Sequence, residues 1–254
     1  MHSVDLNCDL GESFGRYTLG LDAEVIPLVS SCNIACGMHA GDPVVMQKTV
    51  ALAADAGIAL GAHPGYPDLQ GFGRRDMNLS PEEAYAYTVY QIGALAGFCA
   101  ARGVQLNHVK PHGQLYNRAA IDARLAEAIA QAVFDINPSL VLVGLANGEL
   151  IDAGRAVGLT VAQEFFTDRN YTDEGVLVSR SLPNALITDE KFAVERVVRV
   201  VKEGTIESAS GKTIEIQADT ICVHGDNAHA LEFVKRIRSA LAAEGIAIEP
   251  VAGA

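Results

Sequence analysis

The chain has 254 residues, nearly half of them hydrophobic, enough to bury one large core and of a size to form a single α/β barrel domain over 1–254. A formal charge of -12 argues against a nucleic-acid-binding surface or an anionic membrane face, since both need a basic patch. No apolar run approaches the roughly 18 residues of a spanning helix, and the start MHSVDLNCD lacks a basic stretch followed by an apolar one, so a cytoplasmic location is expected.

In chain order, a first strand runs through VDLNCDLGE (Val4 to Glu12) into Asn7, Asp9 and Glu12. A glycine-rich turn and a short helix near Ala23 to Val29 lead to a second strand, Ser31 to Ala35. Asp42 then reads as the N-cap of a helix opened by Pro43 and stopped by Gly57. The third strand, Ile58 to Ala62, ends at His63. A long loop, Pro64 to Leu79, carries GFGRR, and Ser80 with Glu83 forms a capping-box pattern before a helix reaching Arg102.

The pattern predicts a fourth strand over Leu106 to Val109, a helix over Ile121 to Phe134, and a fifth strand over Ser139 to Leu145. A helix over Gly148 to Val157, a sixth strand over Leu159 to Ala162 and a helix over Asp189 to Glu203 follow. The last strand is Thr220 to Val223 and the last helix Ala228 to Glu244. Seven strands alternating with helices predict a closed seven-stranded parallel (β/α) barrel, with a doubly wound open sheet as the alternative, because both use the same units.

The segment ASGKT (Ala209 to Thr213) imitates the end of a phosphate loop, but Ile206 stands where that loop needs its first glycine. Flanked by TIES and TIEIQ, it reads as a hairpin turn. Neither a GxGxxG fingerprint nor a GxSxG elbow is present, which sets aside a dinucleotide fold and a serine triad. Five cysteines in largely apolar contexts read as buried thiols, with Cys8, beside Asp9, the one candidate for a reactive thiol.

Polar groups gather just past the strands, where parallel α/β proteins place their chemistry. His39, His63, His112 and His224 follow four different strands. Asp9, His39 and His63 could form a carboxylate and two-histidine metal site suited to zinc. Lys110 at a strand end can hold a carboxylate, stabilise an oxyanion or act as a base. Arg74, Arg75 and Arg169 offer an anionic substrate a basic pocket in an acidic protein. Asp5, Asp9, Glu12, Asp42, Glu164, Asp168 and Asp226 are the candidate bases, Asp9 foremost, with helix capping the alternative for Asp42 and Asp226.

Together, DLNCDLGE, CNIACGMHAGDP, GAHPGYPD with GFGRR, VKPHGQLYN, EFFTDRNYTDEG and CVHGD resemble the LamB/YcsF family over nearly the whole chain. Two loops depart from it: Gly65 to Asp68 reads GYPD where the family often has SYPD, and Val178 to Arg180 reads VSR for VPR. The resemblance implies a barrel related to polysaccharide deacetylases. It also implies a role in opening the lactam of 5-oxo-L-proline to L-glutamate, with ATP and Mg2+ serving the assembly and subunits B and C as partners. Carried onto this sequence, Asp9, His63, Lys110 and His112 would be catalytic. Asn7, Glu12, Asn33, His39, Arg74, Arg75, Asp168, Arg169, His224 and Asp226 would line the substrate pocket. The competing readings are a metal-dependent sugar deacetylase and a non-catalytic lactam- or sugar-binding subunit; a homo-oligomer is left open.

Overall fold

β1 (Ser3–Leu10) is the longest strand, and its side chains sort into two chemically distinct sets. Val4, Leu6, Cys8 and Leu10 face outward into an apolar layer, whereas Asp5, Asn7 and Asp9 face the opposite side, as the two-residue period of a strand requires. A strand with polar groups on its hidden face can be buried on both sides only if other strands surround that face and complete its hydrogen bonds.

That is the arrangement in the computed structural model, which describes residues 2–223 and 228–252. After β1 come α1 (Asp22–Val25), a 3-10 turn (Ile26–Leu28), β2 (Ser31–Ala35), α2 (Pro43–Ala56), β3 (Ala59–His63) and α3 (Pro81–Arg102). The chain continues through β4 (His108–Val109), α4 (Gly113–Ala119), α5 (Ala123–Ile136), β5 (Val141–Leu145), α6 (Glu149–Val157) and β6 (Val161–Phe166). It ends with α7 (Glu190–Glu203), the strands β7 (Thr205–Glu207) and β8 (Thr213–Glu215), β9 (Thr220–Val223), α8 (Ala228–Ala243) and β10 (Ala247–Ile248). Strands β1 to β6 and β9 pair in parallel in that order, and pairing of β9 with β1 closes the barrel. The open-sheet alternative is thereby excluded.

Asp42 caps α2 through the Val44 and Val45 amides, and Gly57 ends it in the left-handed conformation. The Ser80 and Glu83 capping box opens α3 as expected. The ASGKT segment is the turn of the antiparallel β7 and β8 hairpin. Four elements differ from the sequence expectation. β6 continues to Phe166, beyond the expected end at Ala162, because Glu164 is paired inside the barrel. The expected fourth strand shortens to His108–Val109. α4 and β10 were not anticipated, being short and flanked by glycine-rich or alanine-rich sequence. No helix among the described residues is long and apolar enough to cross a membrane.

The large apolar core lies between the strands and the surrounding helices. Inside the barrel, Val141, Val143 and Ala162 form a small separate apolar cluster with Val251 against it, and polar groups fill the space above. Gly61 on β3 makes room for the ring of His108, which a Cβ at that position would overlap. Gly61→Ala is therefore expected to destabilise the fold by about 1–3 kcal/mol through overpacking. A urea titration checks this, and an unchanged midpoint would show that the His108 ring can yield.

Candidate active site at the open end of the barrel

The site grows from the inward side chains at the C-terminal ends of β1, β3, β4 and β6. Lys110, directly after β4, is 2% exposed, and its ammonium lies 2.7 Å from Glu164 Oε1 and 3.0 Å from Asp9 Oδ1. It also donates to Asn7 Oδ1 at 3.2 Å and approaches Cys222 Sγ at 3.4 Å. Burial would push this amine down, but the charges of Asp9 and Glu164 hold it well above its ordinary value. Burial likewise would raise Asp9, and its interactions with the His63 imidazole and the Lys110 ammonium outweigh it, keeping the carboxyl well below the usual carboxylate range.

Asn33 ties the floor together. Its amide donates to Asn7 Oδ1 at 2.8 Å and to Asp9 Oδ1 at 2.9 Å, while its oxygen accepts from His108 Nε2 at 2.8 Å. Asn7 in turn donates to Glu164 at 3.0 Å and to Thr220 at 2.6 Å. Burial first, then the charge of Lys110, push His108 down to about 3, so it is a neutral hydrogen-bonding group.

Above this floor stand three imidazoles. His63 Nδ1 is 2.7 Å from the Lys110 carbonyl and therefore carries a hydrogen, leaving Nε2 directed at Asp9 Oδ2, 3.2 Å away. His112 Nε2 donates to the Phe72 carbonyl at 2.8 Å, leaving Nδ1 directed at His63 Nε2, 3.0 Å away. Two bare nitrogen lone pairs at that separation repel. A proton on one, or a cation held by both, reverses the sign. His39 stacks on His112 with ring centroids 3.7 Å apart, and burial together with the neighbouring imidazoles pushes its pKa well down. Burial and His63 push His112 down to about 3.

Glu12 Oε1 approaches His39 Nε2 at 3.6 Å and His112 Nδ1 at 3.7 Å. One ligand atom from each of Glu12, His39, His63 and His112 lies within 4.8 Å of the others. Three imidazoles and a carboxylate suit a zinc-like ion, and backbone carbonyls already fix two of the ring orientations, as around metal-binding histidines. The cluster therefore fits a metal. Asp9 is instead engaged by Lys110, Asn33 and His63, so it borders the cluster.

The GFGRR loop presses on these rings. Phe72 adopts a left-handed φ of 55°, which places its carbonyl on His112, and a Cβ on Gly73 would come within 2.8 Å of His39. Arg74 lies over Phe72 and lines the mouth, but Arg75 is held by buried Asp68 and lines neither cavity at the mouth. Arg169 lines the mouth, with Asp168 acting on it electrostatically from the next position. His224 and Asp226 lie outside the described residues. Sequence reasoning missed Tyr116, Asn117, Phe166 and Arg180 in the lining, the pairing of the candidate base Glu164 with Lys110, and Cys222 against the same ammonium. The parity of β6 and β9, once β1 is oriented, is the signal that finds the last two. Cys8, expected as a reactive thiol, is buried in the outer apolar layer.

The LamB/YcsF family model matches residues 4–254. The A subunit of 5-oxoprolinase from Bacillus subtilis is 56% identical over 251 residues, covering 99% of this chain and 98% of that protein. That of Clostridium beijerinckii is 57% identical with the same coverage. The crystal structure of the lactam utilization protein from Thermus thermophilus superposes with a TM-score of 0.92 at 46% identity, covering 98% of this chain and 100% of that one. An Enterococcus faecalis structure named for cellobiose-phosphate cleavage, 13% identical with a TM-score of 0.60 and covering 97% and 96%, shows the fold alone. The chain belongs to the LamB/YcsF family.

The buried charges predict opposite pH responses in two proteins. In the parent, Asp9 has a depressed folded pKa, so its contribution is complete above its unfolded value near ~3.9 and is lost as pH falls through the folded value. Lys110→Met leaves buried carboxylates without their cation. It is expected to cost about 3–5 kcal/mol near neutrality, and the cost should shrink toward pH 5 as those carboxylates take up protons. Urea unfolding of both proteins across that interval checks the signs; a cost independent of pH would mean that the carboxylates are satisfied without Lys110.

Proposed function

We propose that this chain is the ring-opening component of an ATP-dependent 5-oxoprolinase, hydrolysing the lactam of 5-oxo-L-proline to L-glutamate. The observation that carries the reading is Asp9. It is 20% exposed at the floor of the mouth cavity and bridges a buried ammonium and an oriented imidazole. The relatives named as the A subunit of 5-oxoprolinase and as lactam utilization protein supply the substrate class.

In this reading a water sits against Asp9 Oδ2 and His63 Nε2. A carboxyl held so far down is a weak proton acceptor, so His63 takes the proton and Asp9 orients the water and stabilises the imidazolium. The Lys110 carbonyl keeps His63 in the tautomer that this requires. Lys110 commits its hydrogens to Glu164, Asp9 and Asn7, and so acts on the reacting amide as a fixed positive charge beneath it. Phe166 and Tyr116 close the sides of the cavity. Amide activation falls to ATP with Mg2+. The absence of a phosphate loop in the sequence is compatible with a division of labour in which partner subunits B and C contribute to that step.

The Glu12, His39, His63 and His112 cluster favours a second reading, in which hydrolysis depends on a metal. An ion there would polarise a bound water or an amide oxygen. Glu12 and His39 would then be ligands, and Asp9 would hydrogen-bond the group being hydrolysed.

Glutamate release from 5-oxoproline, assayed with the chain alone and with its two partners, with and without ATP, separates the readings. Turnover is expected only with ATP and partners, and Asp9→Asn is expected to lower it at least about 100-fold at a temperature where the variant, although its thermal midpoint falls with the loss of the Lys110 partner, is still fully folded. ATP-independent hydrolysis by the chain alone, with stoichiometric zinc in the purified protein, would establish the metal hydrolase instead.

A further inference from the structure

The mouth of the barrel holds two adjoining cavities of unequal size. The inner one, against Asp9, His63 and Lys110, has a volume of about 50 Å³, and the outer one about 350 Å³. Arg74, Asn117, Arg169, Leu177 and Arg180 line both, so the outer cavity is a vestibule to the inner. An inner space of that size admits only a few water-sized groups, at about 10–15 Å³ each, and not a ring with its substituents. The rest of the ligand must therefore lie in the vestibule.

The vestibule is strongly cationic in a protein of net charge -12. Among the described residues, neither Arg74 nor Arg180 is ion-paired with a carboxylate; Arg74 lies over Phe72, 5.0 Å from the ring centroid. Arg169 is only 3% exposed, donates to the Val178 carbonyl at 2.6 Å, and has no hydrogen-bond partner for Nε. Among the described residues no carboxylate is hydrogen-bonded to this deeply buried guanidinium, an arrangement that is costly unless a ligand supplies the charge. Burial, then Arg180 and more weakly Arg74, push its pKa down against the opposing influence of Asp168 and Tyr171.

We propose that this vestibule is a phosphate subsite that receives a phosphoryl dianion on the group entering the reaction cavity. Among the described residues Asp168 is the carboxylate that acts on Arg169, which leaves two of the three guanidinium charges of Arg74, Arg169 and Arg180 to be met by a ligand. A phosphoryl dianion meets both, where a single carboxylate meets one. Arginine forks suit phosphate oxygens through paired hydrogen bonds, and Arg118, held by Asp122 at 3.3 Å, adds a fourth guanidinium at the rim. The inference rests on the ring-opening reading for its substrate, which would reach this chain already phosphorylated. The phosphoryl group could otherwise belong to the nucleotide.

Calorimetric titration of the full chain with inorganic phosphate, acetate and ATP, at constant ionic strength, tests the subsite without turnover. Saturable phosphate binding is expected, weakened about tenfold in Arg180→Ala and in Arg74→Ala, with acetate binding much more weakly. Both side chains are exposed, so the variants should retain the parent melting curve. ATP binding no tighter than phosphate would place the dianion on the lactam; binding at least tenfold tighter, lost in the same variants, would place it on the nucleotide. Equal affinity for acetate and phosphate, absent saturation, or variants that bind like the parent would overturn the subsite. A chain that binds phosphate yet forms no glutamate with its partners would overturn the lactam reading and leave the subsite standing.

Discussion

The structure depends on keeping one ammonium ion inside a barrel. Removing the charge of Lys110 from water costs several kcal/mol, and the barrel offsets this only by bringing Glu164 and Asp9 within hydrogen-bonding distance. Those carboxylates need further donors, which Asn7 and Asn33 supply, and the amides in turn call on Thr220 and His108. The polar interior is thus one connected network in which each member is retained because another would otherwise be left unsatisfied. An apolar interior would make a more stable barrel, but it could not hold a carboxylate ionised at the base of a cavity.

The charges on this floor do not cancel. Lys110 brings one positive charge, and Asp9 and Glu164 bring two negative ones. The remaining negative charge faces the histidine cluster, where the lone pairs of His63 and His112 converge. A site with excess negative charge beneath and paired lone pairs above favours a positive species between them. A proton transferred from water during ring opening and a resident metal ion are alternative occupants of that same space. The two functional readings therefore differ over what supplies the positive charge, and agree on where it lies.

Much of this was legible in the sequence because local rules governed it. The caps at Asp42 and Ser80, the stop at Gly57 and the hairpin at ASGKT follow from chemistry within a few residues, and each formed as expected. Polar residues at the ends of apolar runs located Asp9, His63 and Lys110 because a strand delivers its last side chains to one edge of the barrel. What sequence could not show is pairing across long separations. Glu164 lies beyond the expected end of the sixth strand at Ala162, yet Lys110, far away in the chain, makes it an interior residue. Arg74 and Arg75 are equivalent as sequence; only the fold turns one into the cavity and gives the other to Asp68. His112 joined His39 and His63 in an orientation held by the carbonyl of the left-handed Phe72, and Glu12 reached them from the loop after β1.

Net charge was the least local signal and the most misleading about the site. At -12 the protein as a whole repels anions, and composition alone suggests no basic ligand-binding surface. Yet the rim of the barrel gathers Arg74, Arg118, Arg169 and Arg180, while the floor is held by carboxylates. Over distances beyond the roughly 8 Å screening length of physiological salt, the overall charge is hidden from an approaching ion. Within it, the arginines dominate. An anion is then drawn to the vestibule and halted there, because the carboxylates below repel it, so its charged end stays at the rim while its neutral reacting centre points inward. The same opposition of charge that makes the site costly to build would orient the molecule that enters it.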